Sequence, residues 1–150
     1  MPLNLTAMHE RPTIFLAEDS PADCYLFQEA LKAHSVETEL FIFHDGEDAM
    51  AFLTSAEEDG PQPQLFVIDL NLPKVDGFRL LQHLRGSARF SDSVAIVLTS
   101  SSNPDDRTES LRMGATRYIR KADNVTDFLE IGREIKSLLS RQSTGSAKPD

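Results

Sequence analysis

The sequence predicts an α/β fold, a doubly wound open sheet of parallel strands with helices on both faces. Two observations carry this. Five short apolar runs alternate with stretches of helical periodicity, the order of repeated βα units. The third and fourth runs, "QLFVIDL" and "SVAIVLTS", are apolar almost throughout rather than alternating, as strands covered on both faces are. Right-handed crossovers then favour winding to both sides of the sheet.

The elements follow in order. "TIFLA", Thr13 to Ala17, is the first strand. Ser20 supplies an N-cap, Pro21 stands at the first helical position and Asp23 in the first turn. Phe27, Ala30, Leu31 and His34 repeat at helical spacing behind them. "TELFIF", Thr38 to Phe43, is the second strand, and Ala49, Phe52, Leu53 and Ala56 stripe the second helix. The polar stretch Ser55 to Gln64, rich in Pro and Gly, reads as a surface loop with no core role. Strand three follows, then helix three with Gly77, Leu80, Leu81 and Leu84. Strand four covers Ser93 to Ser100. The next helix, about Pro104 to Met113, has a weak apolar stripe and a charged face. "TRYIR", Thr116 to Arg120, is strand five, and Val125, Phe128, Leu129, Ile135, Leu138 and Leu139 mark a last helix.

The chain's 150 residues suit one domain with a real core. The expected division is a flexible N-terminus over 1–11, a folded domain over 12–140 and a disordered polar tail over 141–150. The net charge of -9 disfavours nucleic acid and anionic lipid as partners, because both reward a basic surface. The single cysteine, Cys24, excludes an internal disulfide and makes a reducing cytosol the expected compartment. No zinc spacing occurs, no apolar run approaches a membrane span, and the first residues lack a secretory h-region.

Ligands of such sheets gather beyond the carboxyl ends of the strands. Strand one ends in Glu18 and Asp19, and strand three in Asp69 with Asn71 two residues on. Strand four ends in Thr99, and strand five just before Lys121. A strand order of 2-1-3-4-5 would place these ends side by side. Three crowded carboxylates repel unless a cation joins them, and a hard divalent ion with oxygen ligands, Mg²⁺ above all, fits. Such an ion, a lysine and a hydroxyl around one aspartate suit phosphoryl transfer, with Asp69 as nucleophile. Taken singly, each residue has a plainer reading: Glu18 and Asp19 as loop polar groups, Asp69 as a turn residue, Thr99 as a β-former, Lys121 as a surface lysine, Tyr118 as packing. Their agreement at four strand ends is what argues for a site.

The pieces "FLAEDSPAD", "FVIDLNLPKVDGFRLL", "IVLTSSS" and "YIRKA" resemble, in order and spacing, the receiver domains of two-component response regulators. The likeness covers roughly Arg11 to Leu139. It implies a flavodoxin-like (βα)5 sheet in the order 2-1-3-4-5. It implies Asp69 as phosphoacceptor and Glu18 and Asp19 as the acidic pair that holds Mg²⁺, with Asp19 the direct ligand. The backbone carbonyl of Asn71 would complete the metal site, and Thr99 and Lys121 would contact the phosphoryl group. Tyr118 matches the aromatic switch that moves with Thr99, and Pro73 and Gly77 match the loop after the phosphoacceptor.

The resemblance also implies a cytoplasmic regulator served by a sensor histidine kinase. "EDSPAD", "DLNLPKVDG" and "LTSS" look similar to the stand-alone regulators paired with bacterial phytochrome kinases. With only a short polar tail after Leu139, output is expected through the helix-four, strand-five and helix-five face, with a homodimer formed there. One departure stands out. Ala122 follows Lys121 where most receivers have proline, so either a strained cis bond or a locally different loop is expected. Two rival readings remain. A receiver-fold binding module that is never phosphorylated is disfavoured by the complete acidic set with Thr99 and Lys121. A dehalogenase-type phosphatase would want an aspartate where Asn71 stands.

Overall fold

Every apolar run singled out above is a strand, and all five pair in parallel. The computed structural model describes residues 11–55, 60 and 62–147. The elements run β1 (Thr13–Ala17), α1 (Pro21–Ala33), β2 (Glu39–Phe43), α2 (Gly46–Ser55), β3 (Leu65–Ile68), α3 (Gly77–Gly86), β4 (Val94–Thr99), α4 (Pro104–Arg112), β5 (Arg117–Arg120), α5 (Val125–Leu129) and α6 (Ile131–Ala147). The sheet order is β2-β1-β3-β4-β5. Ile14 lies opposite Leu65, Leu65 opposite Val94, and Ile96 opposite Arg117.

Because side chains alternate along a strand, each strand feeds two cores. Phe15, Phe66, Ile68, Ala95 and Val97 face one side, under Leu53 of α2 and Leu80, Leu81 and Leu84 of α3. Ile14, Leu16, Val67, Ile96 and Leu98 face the other, under Phe27 and Leu31 of α1 and Phe128, Ile131 and Ile135 of α5 and α6. On the first side the rings of Phe41, Phe52, Phe43, Phe15, Phe66 and Phe90 form a continuous aromatic chain, with neighbouring centroids 5.0 to 5.6 Å apart. α4 differs from the other helices: its only buried residue is Ser110, whose hydroxyl has no hydrogen-bond partner.

Local chemistry explains the helix starts. Ser20 Oγ accepts the Asp23 N–H at 3.2 Å, and Pro21 follows it, as expected. Asp45, Asp76, Asn103 and Asn124 cap α2 to α5 in the same way, each accepting an amide of the first turn.

Three expectations need correction. The segment before β3 is not free of the core: Pro63 is buried, and the Gln64 side chain accepts the Thr13 N–H at 2.7 Å. Residues 56–59, which include Ala56 of the expected stripe and part of this loop, lie outside the described residues. The last helix is two helices, broken at Glu130, where amides bond three residues back instead of four. The expected irregular tail from 141 is helical to Ala147. No proline interrupts the chain there, and Gln142 Nε2 donates to the Gln64 carbonyl at 2.8 Å, tying α6 to the start of β3. The expectation for 1–10 falls outside the described residues.

Candidate functional site

The strand order brings the carboxyl ends of β1, β3, β4 and β5 together. Glu18 and Asp19 follow β1, and Asp69 follows β3. One carboxylate oxygen from each lies within 4.8 Å of the other two, a spacing that one hard cation with oxygen ligands at about 2.0–2.6 Å can span. Glu18 and Asp69 are buried and Asp19 is exposed, so the trio opens to water on one side.

Lys121 follows β5, where its N–H donates to the Thr99 carbonyl at 2.8 Å. Its side chain is buried among carboxylates. The ammonium lies 2.7 Å from Glu18 Oε1, 2.7 Å from Asp23 Oδ2 and 3.0 Å from Asp69 Oδ2. No cis peptide occurs among the described residues, so Lys121–Ala122 is trans, and the lysine is nevertheless at Asp69.

The charges are mutually dependent. Burial raises the Glu18 pKa from 4.5 to about 7; the Lys121 hydrogen bond pulls it down, and the charge of Asp69 adds to the rise. For Lys121, burial works against the charge, but hydrogen bonds to Asp23 and Glu18 outweigh it and raise the pKa above the lysine value. Cys24 beneath the site is pushed up to about 11 by burial, then by the charge of Glu18, so its thiol stays protonated and unreactive at neutral pH.

The loops around Asp69 are braced from below. A Cβ on Gly77 would stand 2.3 Å from the Asp69 carbonyl oxygen, so only glycine lets α3 start this close to β3. The Asn71 N–H donates to Asp69 Oδ1 at 3.1 Å. The Gly46 N–H donates to the Pro73 carbonyl at 3.0 Å, and Lys74, at φ 74°, pairs with Asp45 and Glu47 at 3.6 Å.

Thr99 is fully buried at the end of β4, and its hydroxyl accepts the Ser101 N–H at 3.4 Å. Ser101 in turn joins three elements. Its hydroxyl donates to Asp106 of α4 at 2.5 Å, and its carbonyl accepts the Tyr118 hydroxyl at 3.4 Å. Tyr118 is half-buried, with the Arg107 guanidinium 5.7 Å from its ring centre. Thus Glu18, Asp19, Asp69, Asn71 and Lys121 meet at one place, while Thr99 and Tyr118 are linked through Ser101.

Reading the sequence misses Asp23 as part of the site. Its first-turn position marks a helix start; its bond to a lysine 98 positions away has no local signature. Gly46 was missed for the same reason.

The chain resembles known proteins over most of its length. Residues 14–131 match the model of the response regulator receiver domain. "Response regulator Rcp1" of Synechocystis sp. is 39% identical over 126 residues, 83% of this chain and 86% of that protein. The crystal structure of the Mn²⁺-bound form of Rcp1 has a TM-score of 0.76 and covers 84% of this chain and 92% of its own. The phosphorylated cyanobacterial phytochrome response regulator RcpA is 35% identical, with a TM-score of 0.77 over 84% of this chain and 91% of its own. Among the described residues no helix is long and apolar enough to cross a membrane. The chain belongs to the response regulator receiver domain family and is homologous to the phytochrome response regulators.

Proposed function

We propose that this protein accepts a phosphoryl group on Asp69 from a sensor histidine kinase, with a bacteriophytochrome as that kinase. The observation that carries the reading is the lysine ammonium 3.0 Å from Asp69, inside a trio of carboxylates spaced for one cation. The likeness to the cyanobacterial phytochrome response regulator RcpA supports the phytochrome pairing.

A carboxylate oxygen of Asp69 attacks phosphorus. The phosphorus–nitrogen bond of a phosphohistidine breaks, and the imidazole leaves with the electron pair. Lys121 holds positive charge beside the transferred group, and the Thr99 hydroxyl donates to one of its oxygens. Glu18, Asp19, Asp69 and the Asn71 carbonyl would hold Mg²⁺, which when bound neutralises the carboxylates and polarises a phosphoryl oxygen. The same groups promote later hydrolysis.

Output follows from a shift between two surface states of α4, β5 and the α5–α6 pair that stands where one last helix was expected, relayed from Thr99 through Ser101 to Tyr118. Moving such an equilibrium from mostly off to mostly on takes about 5.5 kcal/mol of differential stabilisation. The shifted face forms a homodimer, and the regulator works in the cytoplasm without contacting nucleic acid. Sedimentation at micromolar protein showing only monomer, with and without phosphodonor, would contradict the dimer.

Borohydride tests the acceptor, because it reduces an aspartyl phosphate to homoserine. Peptide mapping after treatment with acetyl phosphate and Mg²⁺ should place homoserine at position 69 alone. Homoserine elsewhere, or nowhere, would overturn the assignment.

A further inference from the structure

Lys121 carries three N–H bonds, and three carboxylates already take them: Glu18 and Asp23 at 2.7 Å and Asp69 at 3.0 Å. The ammonium is saturated. A phosphoryl group on Asp69 replaces the Asp69 contact itself, and a cation held by the trio would draw Glu18 away, so Asp23 is the partner left competing with the phosphoryl oxygens for the ammonium.

The three partners are not equivalent. Glu18 and Asp69 belong to the cation-spaced trio, and Asp23 does not. Glu18 and Asp69 have side chains 3% and 6% exposed, whereas Asp23 is 28% exposed on the first turn of α1. Water can therefore take over Asp23 when the lysine leaves it, but cannot take over the other two at similar cost. Its backbone N–H is held by Ser20, so releasing the side chain does not loosen the helix start.

We propose that Asp23 is a positioning residue that holds the Lys121 ammonium in competition with the phosphoryl group, so that it restrains phosphoryl uptake at rest and releases the lysine on transfer. This rests on Asp69 being the acceptor. The released carboxylate lies at the rim of a groove shared by Leu26, Ser100, Asp123 and Val125, so transfer also changes the charge that this groove presents.

The test is the rate of phosphoryl uptake from acetyl phosphate with saturating Mg²⁺, followed by intact mass. Asp23→Asn and Asp23→Ser should take up phosphate faster than wild type, by about threefold or more, because one charge-assisted bond no longer competes for the lysine. Asp23→Glu should return the rate toward wild type. Asp123→Asn removes a negative charge from the same groove and should stay within about twofold of wild type. A merely structural role for Asp23 predicts the opposite sign, slower uptake. Equal or slower uptake in either Asp23 variant overturns the proposal, as does equal acceleration by Asp123→Asn; in either case an adduct on wild type that Asp69→Asn lacks leaves Asp69 as acceptor. A wild type that takes up no phosphate at Asp69 removes the acceptor reading and this proposal together.

Discussion

Lys121 Nζ stands 2.7 Å from Glu18 Oε1, and both side chains are almost wholly removed from water. Burial makes this pair sensitive to pH. Glu18 titrates near 7 in the fold against 4.5 in the open chain. A raised carboxyl pKa means the folded state holds the proton more tightly, so stability is fully present below pH 4.5 and is lost as pH rises through about 7. Glu18→Gln mimics the protonated form. Without divalent cation, wild type should lose stability relative to Glu18→Gln across this window, by at most about 3 kcal/mol. Mg²⁺ should raise the stability of wild type near pH 8 by more than it raises the variant, which keeps Asp19 and Asp69. Thermal melts of both proteins, with and without Mg²⁺, check this; parallel curves would contradict it.

A Cβ on Gly46 would lie 1.6 Å from the Val75 carbonyl oxygen, so Gly46→Ala must push the β2–α2 turn and the β3–α3 loop apart. That loop carries Asn71. The substitution should cost about 2–4 kcal/mol of stability and weaken divalent cation binding, although Gly46 is not one of the trio. Cation titration followed by melting temperature measures both effects. Unchanged cation binding in a destabilised protein would show that the brace serves the fold alone.

α4 buries one hydroxyl, whereas α3 buries three leucines. Amide hydrogen exchange should therefore open α4 well before α3. Ser110→Ala removes an unpartnered buried hydroxyl, so it should stabilise the protein by up to about 1 kcal/mol and slow exchange in α4. If α4 moves as the output element, the same variant should also need more phosphodonor to reach half dimerisation. Equal protection of the two helices would contradict the loose docking.

Much of the fold was legible because its signals are local. Five apolar runs, the Ser20–Pro21 helix start and the stripe of Leu80, Leu81 and Leu84 each speak within a few residues. The Glu18, Asp19, Asp69 and Lys121 grouping was legible because strand ends converge wherever such a sheet forms. Asp23 and Gly46 escaped because each acts through a partner far along the chain, a lysine just after β5 and a carbonyl in the β3–α3 loop, and the burial of Pro63 has no signal in its polar surroundings. The helix beyond Arg141 escaped because its polar composition contains no burial signal, and its visible tie is the Gln142 bond to Gln64.

The most direct test of phosphoryl acceptance is the intact mass of wild type and Asp69→Asn after acetyl phosphate, with and without Mg²⁺. Acceptance at Asp69 predicts one phosphoryl adduct on wild type with Mg²⁺, and none on the variant or with Mg²⁺ removed. An adduct of equal extent on Asp69→Asn, or no adduct on a folded wild type shown to bind Mg²⁺, would contradict it.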